Sequence, residues 1–385
     1  MDAAPNAGER PAAMAVYNLM PFNVLIVEDS EFMRTLLRRI VRGLGIGRVQ
    51  VFEDGTGAIA HLKELAEAPG ATLAGGPDLI LSDMFMGPVN GLQLLRWVRL
   101  SPESPDRFIP FIMVSGAADG EYVDAARRLG VTEFLAKPYS IGTVSARILA
   151  VIDQPRQFVR CQSFFGPDRR RVSTEWRGIE RRVLSEDDIN VVYSSTTPGK
   201  TRKKSDVWYF RLPNMLKDKA GGRGVSGRGE LAGHMLEQAE AELRDAEVQY
   251  DTVARQYLDS LDAKCRAALE NADQREPLYR QIHALAHELR GQGTTFGFPL
   301  LTTLAKSLYH YTGPGCRMDD NAATIIKHHA DAMRAVVVHN ISGDGGEVGN
   351  ALVRTLEESI EKFAPNTQER ERAGLDLDME SSAIA

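Results

Sequence analysis

The sequence predicts a doubly wound α/β domain on a five-stranded parallel sheet, followed by an all-α helical-bundle domain. Two observations carry this. In the first part of the chain, short apolar runs alternate with helix-like stretches, as in a parallel sheet covered by helices on both faces. In the last part, long charged amphipathic stretches follow one another with no strand signal of comparable strength, as in a bundle.

The strand-like runs are Phe22–Val27, Val49–Phe52, Leu79–Leu81, Phe108–Val114 and Val131–Leu135. They are rich in β-branched residues or bounded by turns. A helix over Phe32–Leu44 is predicted by Phe32, Met33, Leu36, Leu37 and Ile40, which recur at helical spacing. Ligands of such a sheet bind outside the carboxyl ends of its strands, so the chemistry is expected there. Helices are then expected at Glu230 to about Leu269, Pro277–Arg290, Leu300–Tyr309, Ala322–His339 and Asn350–Phe363. Pro277 suits a first helical turn, where a missing N–H costs nothing.

Between Arg156 and Arg228 there are 17 Lys and Arg against 8 Asp and Glu, a net of +9 in a chain whose total is −6. This stretch contains Arg169-Arg170-Arg171, Arg181-Arg182 and Lys203-Lys204 and ends in a glycine cluster, a composition that reads as linker. The expected organisation is a flexible tail over 1–20, an α/β domain over 21–152, a basic linker over 153–228, a helical domain over 229–365 and a flexible tail over 366–385. The 385 residues, 43% apolar and 25% charged, suffice for two cores. No run approaches the roughly 18 uncharged apolar residues of a membrane span, and residues 1–20 lack the apolar stretch of a secretory signal. Cys161, Cys265 and Cys316 are odd in number and far apart, which argues against disulfides or zinc and fits a reducing cytoplasm.

The predicted strand ends carry Glu28-Asp29, Asp83, Ser115 and, after the fifth strand, Lys137-Pro138. Grouped carboxylates suit Mg²⁺. A carboxylate beside that ion can attack phosphorus to give an aspartyl phosphate, while a lysine and a hydroxyl neutralise and hydrogen-bond the phosphoryl oxygens. From Val24 to Ile152 these motifs resemble the flavodoxin-like receiver domain of bacterial two-component response regulators. The resemblance implies Asp83 as phosphoacceptor, with Glu28, Asp29 and the main-chain carbonyl of Phe85 joining it around Mg²⁺. It further implies Ser115 as the switch hydroxyl, Phe134 as the switch aromatic and Lys137 as the active-site lysine. Gly91 falls at the family's spacing after Asp83. Met86-Gly87-Pro88 replaces the usual Met-Pro, so the loop after Asp83 is expected to differ in shape.

In the helix after Pro277, Leu278, Ile282, Leu285 and Leu289 lie within about 60° of one another on a helical wheel, and His287 falls about 180° from Leu278. His287 is therefore expected to face solvent, available as a nucleophile. Arg290 lies one turn away, placed for phosphoryl oxygens, and Gly291 removes a side chain that would crowd a partner. His287-Glu288-Leu289-Arg290-Gly291, with Gly297 beyond, resembles the signature of histidine-containing phosphotransfer domains. That implies a four-helix bundle whose histidine exchanges phosphoryl groups with receiver aspartates; Arg290 stands where lysine is commoner and keeps the charge.

Other signals point elsewhere. His283 and His287 lack the second histidine of a zinc-peptidase motif. Pro198-Gly199-Lys200-Thr201 lacks the earlier glycine and leading strand of a phosphate loop, so there is no kinase ATP site. His310 and His328-His329 have no ligand companions at metal spacing. The arginine runs come without a helix-turn-helix or a base-stacking platform, which argues against nucleic-acid binding. The leading expectation is a phosphorelay protein rather than a conventional enzyme. Its partners are a sensor histidine kinase or phosphotransfer donor, and another receiver protein. The alternative is a phospho-switch interaction protein, responding through the surface around Ser115, Phe134 and Tyr139, whose helical domain docks or dimerises without chemistry. The length of the stretch from Glu230 suits pairing with a second copy.

Overall fold

In a computed structural model, the described residues are 15–67, 75–116, 120–168, 190–192, 207–225 and 227–363. The chain divides into two compact units, Met1–Leu243 and Arg244–Ala385.

The first unit holds a sheet of β1 (Asn23–Val27), β2 (Arg48–Phe52), β3 (Leu79–Asp83), β4 (Phe111–Gly116) and β5 (Glu133–Lys137). Its order is β2-β1-β3-β4-β5 and every pairing is parallel. The expected fourth strand began at Phe108. The observed one begins after Pro110, which cannot donate to a ladder, and Phe108 joins a separate aromatic cluster. The crossovers are α1 (Glu31–Gly43), α2 (Gly55–Glu67), α3 (Gly91–Leu100) and α4 (Gly120–Leu129), and α5 (Ile141–Asp153) follows β5. Leu25, Val27, Ile80, Phe111 and Met113 form one core with residues of α2, α3 and α4. Their neighbours Val24, Ile26, Leu81, Ile112 and Val114 are buried as well. Since successive side chains point to opposite faces, both faces of the sheet are covered, as expected. Side chains fix three helix starts: Ser30 Oγ accepts from the Met33 N–H, and Asn90–Gln93 and Ser140–Thr143 form capping boxes.

Two expectations about the flanking segments are corrected. Part of the 1–20 tail is folded: Tyr17 and Leu19 are buried, and Ala15–Val16 pairs with Gly229–Glu230. The Tyr17 hydroxyl donates to Asp153, which also accepts from the Gly229 N–H. Nor is 153–228 linker throughout. It contains β6 (Phe158–Cys161), β7 (Phe164–Pro167), β8 (Asn190–Val192) and β9 (Trp208–Phe210), joined in the order β7-β6-β9-β8, then the short helix α6 (Met215–Lys219). Phe158, Phe165 and Phe210 bury themselves with Phe108. Their apolar area offsets the charge that made the stretch read as linker. The arginine runs at 169–171 and 181–182, like the 366–385 tail, lie outside the described residues.

A long helix, α7 (Gly233–Glu270), runs from the first unit into the second. The expected boundary at 228/229 falls too early because the start of α7 packs on α1: a Cβ on Gly43 would lie 2.8 Å from the Ala239 Cα. The second unit comprises the rest of α7 with α8 (Arg275–Gln292), α9 (Pro299–Tyr311), α10 (Asp320–Val338) and α11 (Gly346–Phe363). It is helical, as expected, and Leu261, Ile282, Leu304, Ile326, Met333 and Leu356 from these five helices share one core. Among the described residues no helix is long and apolar enough to cross a membrane.

Candidate functional site

β1 runs out at Val27, so Glu28 and Asp29 follow it at the carboxyl edge of the sheet. Asp83 ends β3, and Lys137 ends β5 opposite Gly116. Ser115, buried in β4, pairs in register with Ala136. The topology thus gathers the predicted residues at one edge. Glu28, Asp29 and Asp83 each offer a carboxylate oxygen, all within 4.8 Å of one another. Lys137 Nζ lies 3.0 Å from Asp83 Oδ1 and donates to Glu28 Oε2 at 3.3 Å. Glu28, Asp83 and Lys137 are 2, 8 and 8% exposed, so these charges interact in a poorly screened site.

The electrostatics follow from that burial. Desolvation, reinforced by the Asp83 charge and opposed by Lys137, pushes the Glu28 carboxyl up to about 8. For Lys137, burial works to lower the pKa, but the Asp83 and Glu28 carboxylates outweigh it and hold the ammonium charged. Three carboxyl groups brought together beside one lysine form a cluster of hard oxygen donors, a set that fits a small divalent cation.

Close approach shapes the same edge. The Gly91 N–H donates to the Met84 carbonyl, and a Cβ on Gly91 would stand 2.2 Å from the Asp83 carbonyl oxygen. Phe85 lies beyond Asp83 with its ring edge-on to Tyr122, and the Gly87–Pro88 peptide in that loop is cis. Phe134 is half-buried against the core. Tyr139, expected at the surface, is 3% exposed. The sequence reading missed Arg34, whose guanidinium reaches back from α1 to the carbonyls of Glu28 and Asp29; an arginine one turn after the Ser30 cap was its only signal.

His287, in the second unit, corrects an expectation. The buried stripe of α8 comprises Tyr279, Ile282, Ala286 and Leu289, with Leu278 and Leu285 only partly covered. That turns the wheel, placing His287 about 120° from the stripe, and it is half-buried rather than solvent-facing. Tyr309 of α9 supplies the cover: its ring stacks on His283 at 4.1 Å, lies 5.5 Å from the His287 ring and carries the Arg290 guanidinium at 4.5 Å. Arg290 Nη2 donates to His287 Nδ1 at 3.4 Å. Burial and the nearby His287 lower the His283 pKa.

The two signature glycines differ. Gly297 has φ +86°, a conformation that itself calls for glycine. Gly291 is helical, and a Cβ there meets no described atom within 4 Å. Elsewhere in the unit, buried His329 bonds Ser307 and the Ile325 carbonyl, consistent with ordinary packing.

Residues 24–149 match the family model of the response regulator receiver domain. Over 131 residues, 34% of this chain, there is 26% identity to the chemotaxis protein CheY-3 of Vibrio cholerae, covering 92% of that protein. The same identity holds to the chemotaxis protein CheY of Pseudomonas aeruginosa, covering 96%. Among solved structures, Vibrio cholerae chemotaxis protein CheY4 is 25% identical over 35% of this chain and 97% of its own, with a TM-score of 0.28. The receiver domain of a sensor histidine kinase from Pseudomonas aeruginosa PAO1 is 26% identical over 34% of this chain and 94% of its own, with a TM-score of 0.28. That domain has a magnesium ion coordinated in its active-site cleft.

Proposed function

Residues 24–149 form a receiver domain of two-component signalling, and from that premise we propose that the chain is a phosphorelay response regulator using Asp83 and His287. The observation that carries the reading is the convergence of three carboxylates with Lys137 3.0 Å from Asp83. An Asp83 oxygen attacks the phosphorus of a phosphohistidine donor. The O–P bond forms as the P–N bond breaks, and the donor imidazole keeps the electron pair. Lys137 offsets charge on Asp83 and the incoming phosphoryl oxygens, and Ser115 hydrogen-bonds them. Glu28, Asp29, Asp83 and the Phe85 carbonyl would hold Mg²⁺, which supplies charge neutralisation when bound. Ser115 and Phe134 then carry the phosphorylated state to the surface.

The helical unit is read as a phosphotransfer bundle. His287 takes the phosphoryl group from a receiver aspartate, an N–P bond replacing the O–P bond and the carboxylate leaving. Arg290 is at hand for the phosphoryl oxygens. The open space at Gly291, in the last turn of α8, supports this reading, because it leaves room for a docking receiver. The donor is a sensor histidine kinase or phosphotransfer protein, in the cytoplasm.

The cover on His287 favours a second reading, a phospho-switch protein whose helical unit docks or dimerises without chemistry. Labelling the full chain with a radioactive small phosphoryl donor and Mg²⁺ separates the two. The phosphorelay reading expects Asp83→Ala to abolish uptake by the receiver. It also expects an acid-labile, alkali-stable label when a phosphorylated receiver is supplied to the chain, lost in His287→Ala. Purely alkali-labile label leaves Asp83 as a switch; undiminished uptake by Asp83→Ala overturns both readings.

A further inference from the structure

Given the receiver reading, we propose that Arg34 is a positioning residue that holds Glu28 and Asp29 in metal-binding geometry. Both lie past the end of β1, outside the ladder that fixes Asn23–Val27. The Glu28 N–H is tied to the Phe52 carbonyl at 3.1 Å. The two carbonyls are tied by one group: Arg34 Nη1 donates to Glu28 O at 2.7 Å and to Asp29 O at 3.0 Å. Nη2 of the same guanidinium reaches Glu53 Oε1 at 3.2 Å.

The anchoring is specific to arginine. Ser30 caps α1, and the Arg34 N–H donates to the Ser30 carbonyl at 2.8 Å, so the side chain starts one turn in and folds back over the helix start. Its planar fork satisfies two carbonyls and a carboxylate at once, which a lysine ammonium on a flexible stem does not reproduce. The Arg34 side chain is 14% exposed while Glu53 is 79% exposed, so the carbonyl bonds are the sheltered ones and the ion pair is outer support. Without them the segment gains freedom, and the convergence of its carboxylates with Asp83 loosens.

The test is Mn²⁺ binding to the full chain, followed by electron paramagnetic resonance, in wild type, Arg34→Met, Arg34→Lys, Glu53→Gln and Asp29→Ala, with metal-free melting of each. Removing an outer partner of a metal ligand typically weakens affinity about 10–100-fold, and that loss is expected for Arg34→Met. Arg34→Lys should recover part of it, and Glu53→Gln should bind within about twofold of wild type. The loss should exceed what the change in metal-free Tm accounts for. Wild-type affinity in folded Arg34→Met overturns the proposal while leaving the receiver reading intact. If Arg34→Met does not fold, Arg34→Lys decides, since wild-type affinity there equally overturns it. Wild-type affinity in Asp29→Ala removes the metal site itself, and the proposal with it.

Discussion

Gly91→Ala puts a single methyl against the strand that ends in Asp83. The new Cβ would lie 2.2 Å from the Asp83 carbonyl oxygen and 2.9 Å from Met113 Sδ. The sulfur, at the end of a flexible side chain, can give way. The carbonyl cannot do so cheaply, because Met84 N–H is bonded to Val114 O at 3.0 Å and Gly91 N–H to Met84 O at 3.1 Å. Reaching an ordinary contact requires a shift of about 1 Å between the start of α3 and the end of β3. Overpacking of this kind costs about 1–3 kcal/mol, and at roughly 2–4 °C per kcal/mol for a unit of this size the Tm falls by about 2–12 °C. A reacting group misplaced by about 1 Å loses up to about 100-fold in rate, so phosphoryl uptake should drop by more than the stability loss explains. Gly142→Ala is the control: its Cβ meets only Ser140 Oγ at 3.7 Å, so it should leave the rate unchanged and the Tm at or slightly above that of wild type. The assay is thermal melting beside the initial rate of labelling by a small phosphoryl donor. Wild-type Tm and rate in Gly91→Ala would refute the close-approach reasoning.

Four further outcomes are expected. A carboxyl raised to about 8 is protonated in the metal-free protein at neutral pH, so metal binding must expel its proton. Mn²⁺ affinity should then rise about tenfold per unit from pH 6 and level off above 8, and a flat profile contradicts this. By the same sign, Glu28 binds more protons folded than unfolded, so its contribution to metal-free stability declines as the pH climbs from about 4.5 to about 8. Gly291→Ala, in the last turn of α8, should melt at or slightly above the wild-type temperature, yet slow phosphoryl exchange with a receiver at least tenfold; undiminished exchange removes the docking role. Tyr139→Phe should gain about 1 kcal/mol, seen as a raised urea midpoint, because the buried hydroxyl finds no hydrogen-bond partner among the described residues. A lowered midpoint would show that the hydroxyl is satisfied.

What the sequence made legible was periodic or punctuated. The runs before Glu28, Asp83 and Ser115 alternate with amphipathic stretches, and parallel pairing puts all strand ends at one edge, so the site could be placed before any coordinate. β6 to β9 escaped because they are three or four residues long, and their phenylalanines are interspersed with charge; only tertiary packing with Phe108 reveals them as a core. The wheel of α8 was misread because Tyr279 and Ala286 were not counted as anchors, and their burial brings His287 against Tyr309. Buried arginines are the least legible class. Arg99 lies in the last turn of α3, where a cation is expected on the surface. It is fully buried instead, donating to the carbonyls of Gly130, Arg107 and Ile109. Those acceptors, like the carbonyls that hold Arg34, are backbone groups brought near by the fold, and no sequence pattern marks them.

The most direct measurement of the central claim is to locate the phosphoryl group. The full chain is phosphorylated with a small donor and Mg²⁺, the acyl phosphate is reduced with borohydride, and peptides are mapped by mass spectrometry. The account predicts homoserine at position 83, absent without Mg²⁺ and absent in Lys137→Ala or strongly reduced there. Reduction product at Glu28, Asp29 or elsewhere with Asp83 unmodified would contradict it.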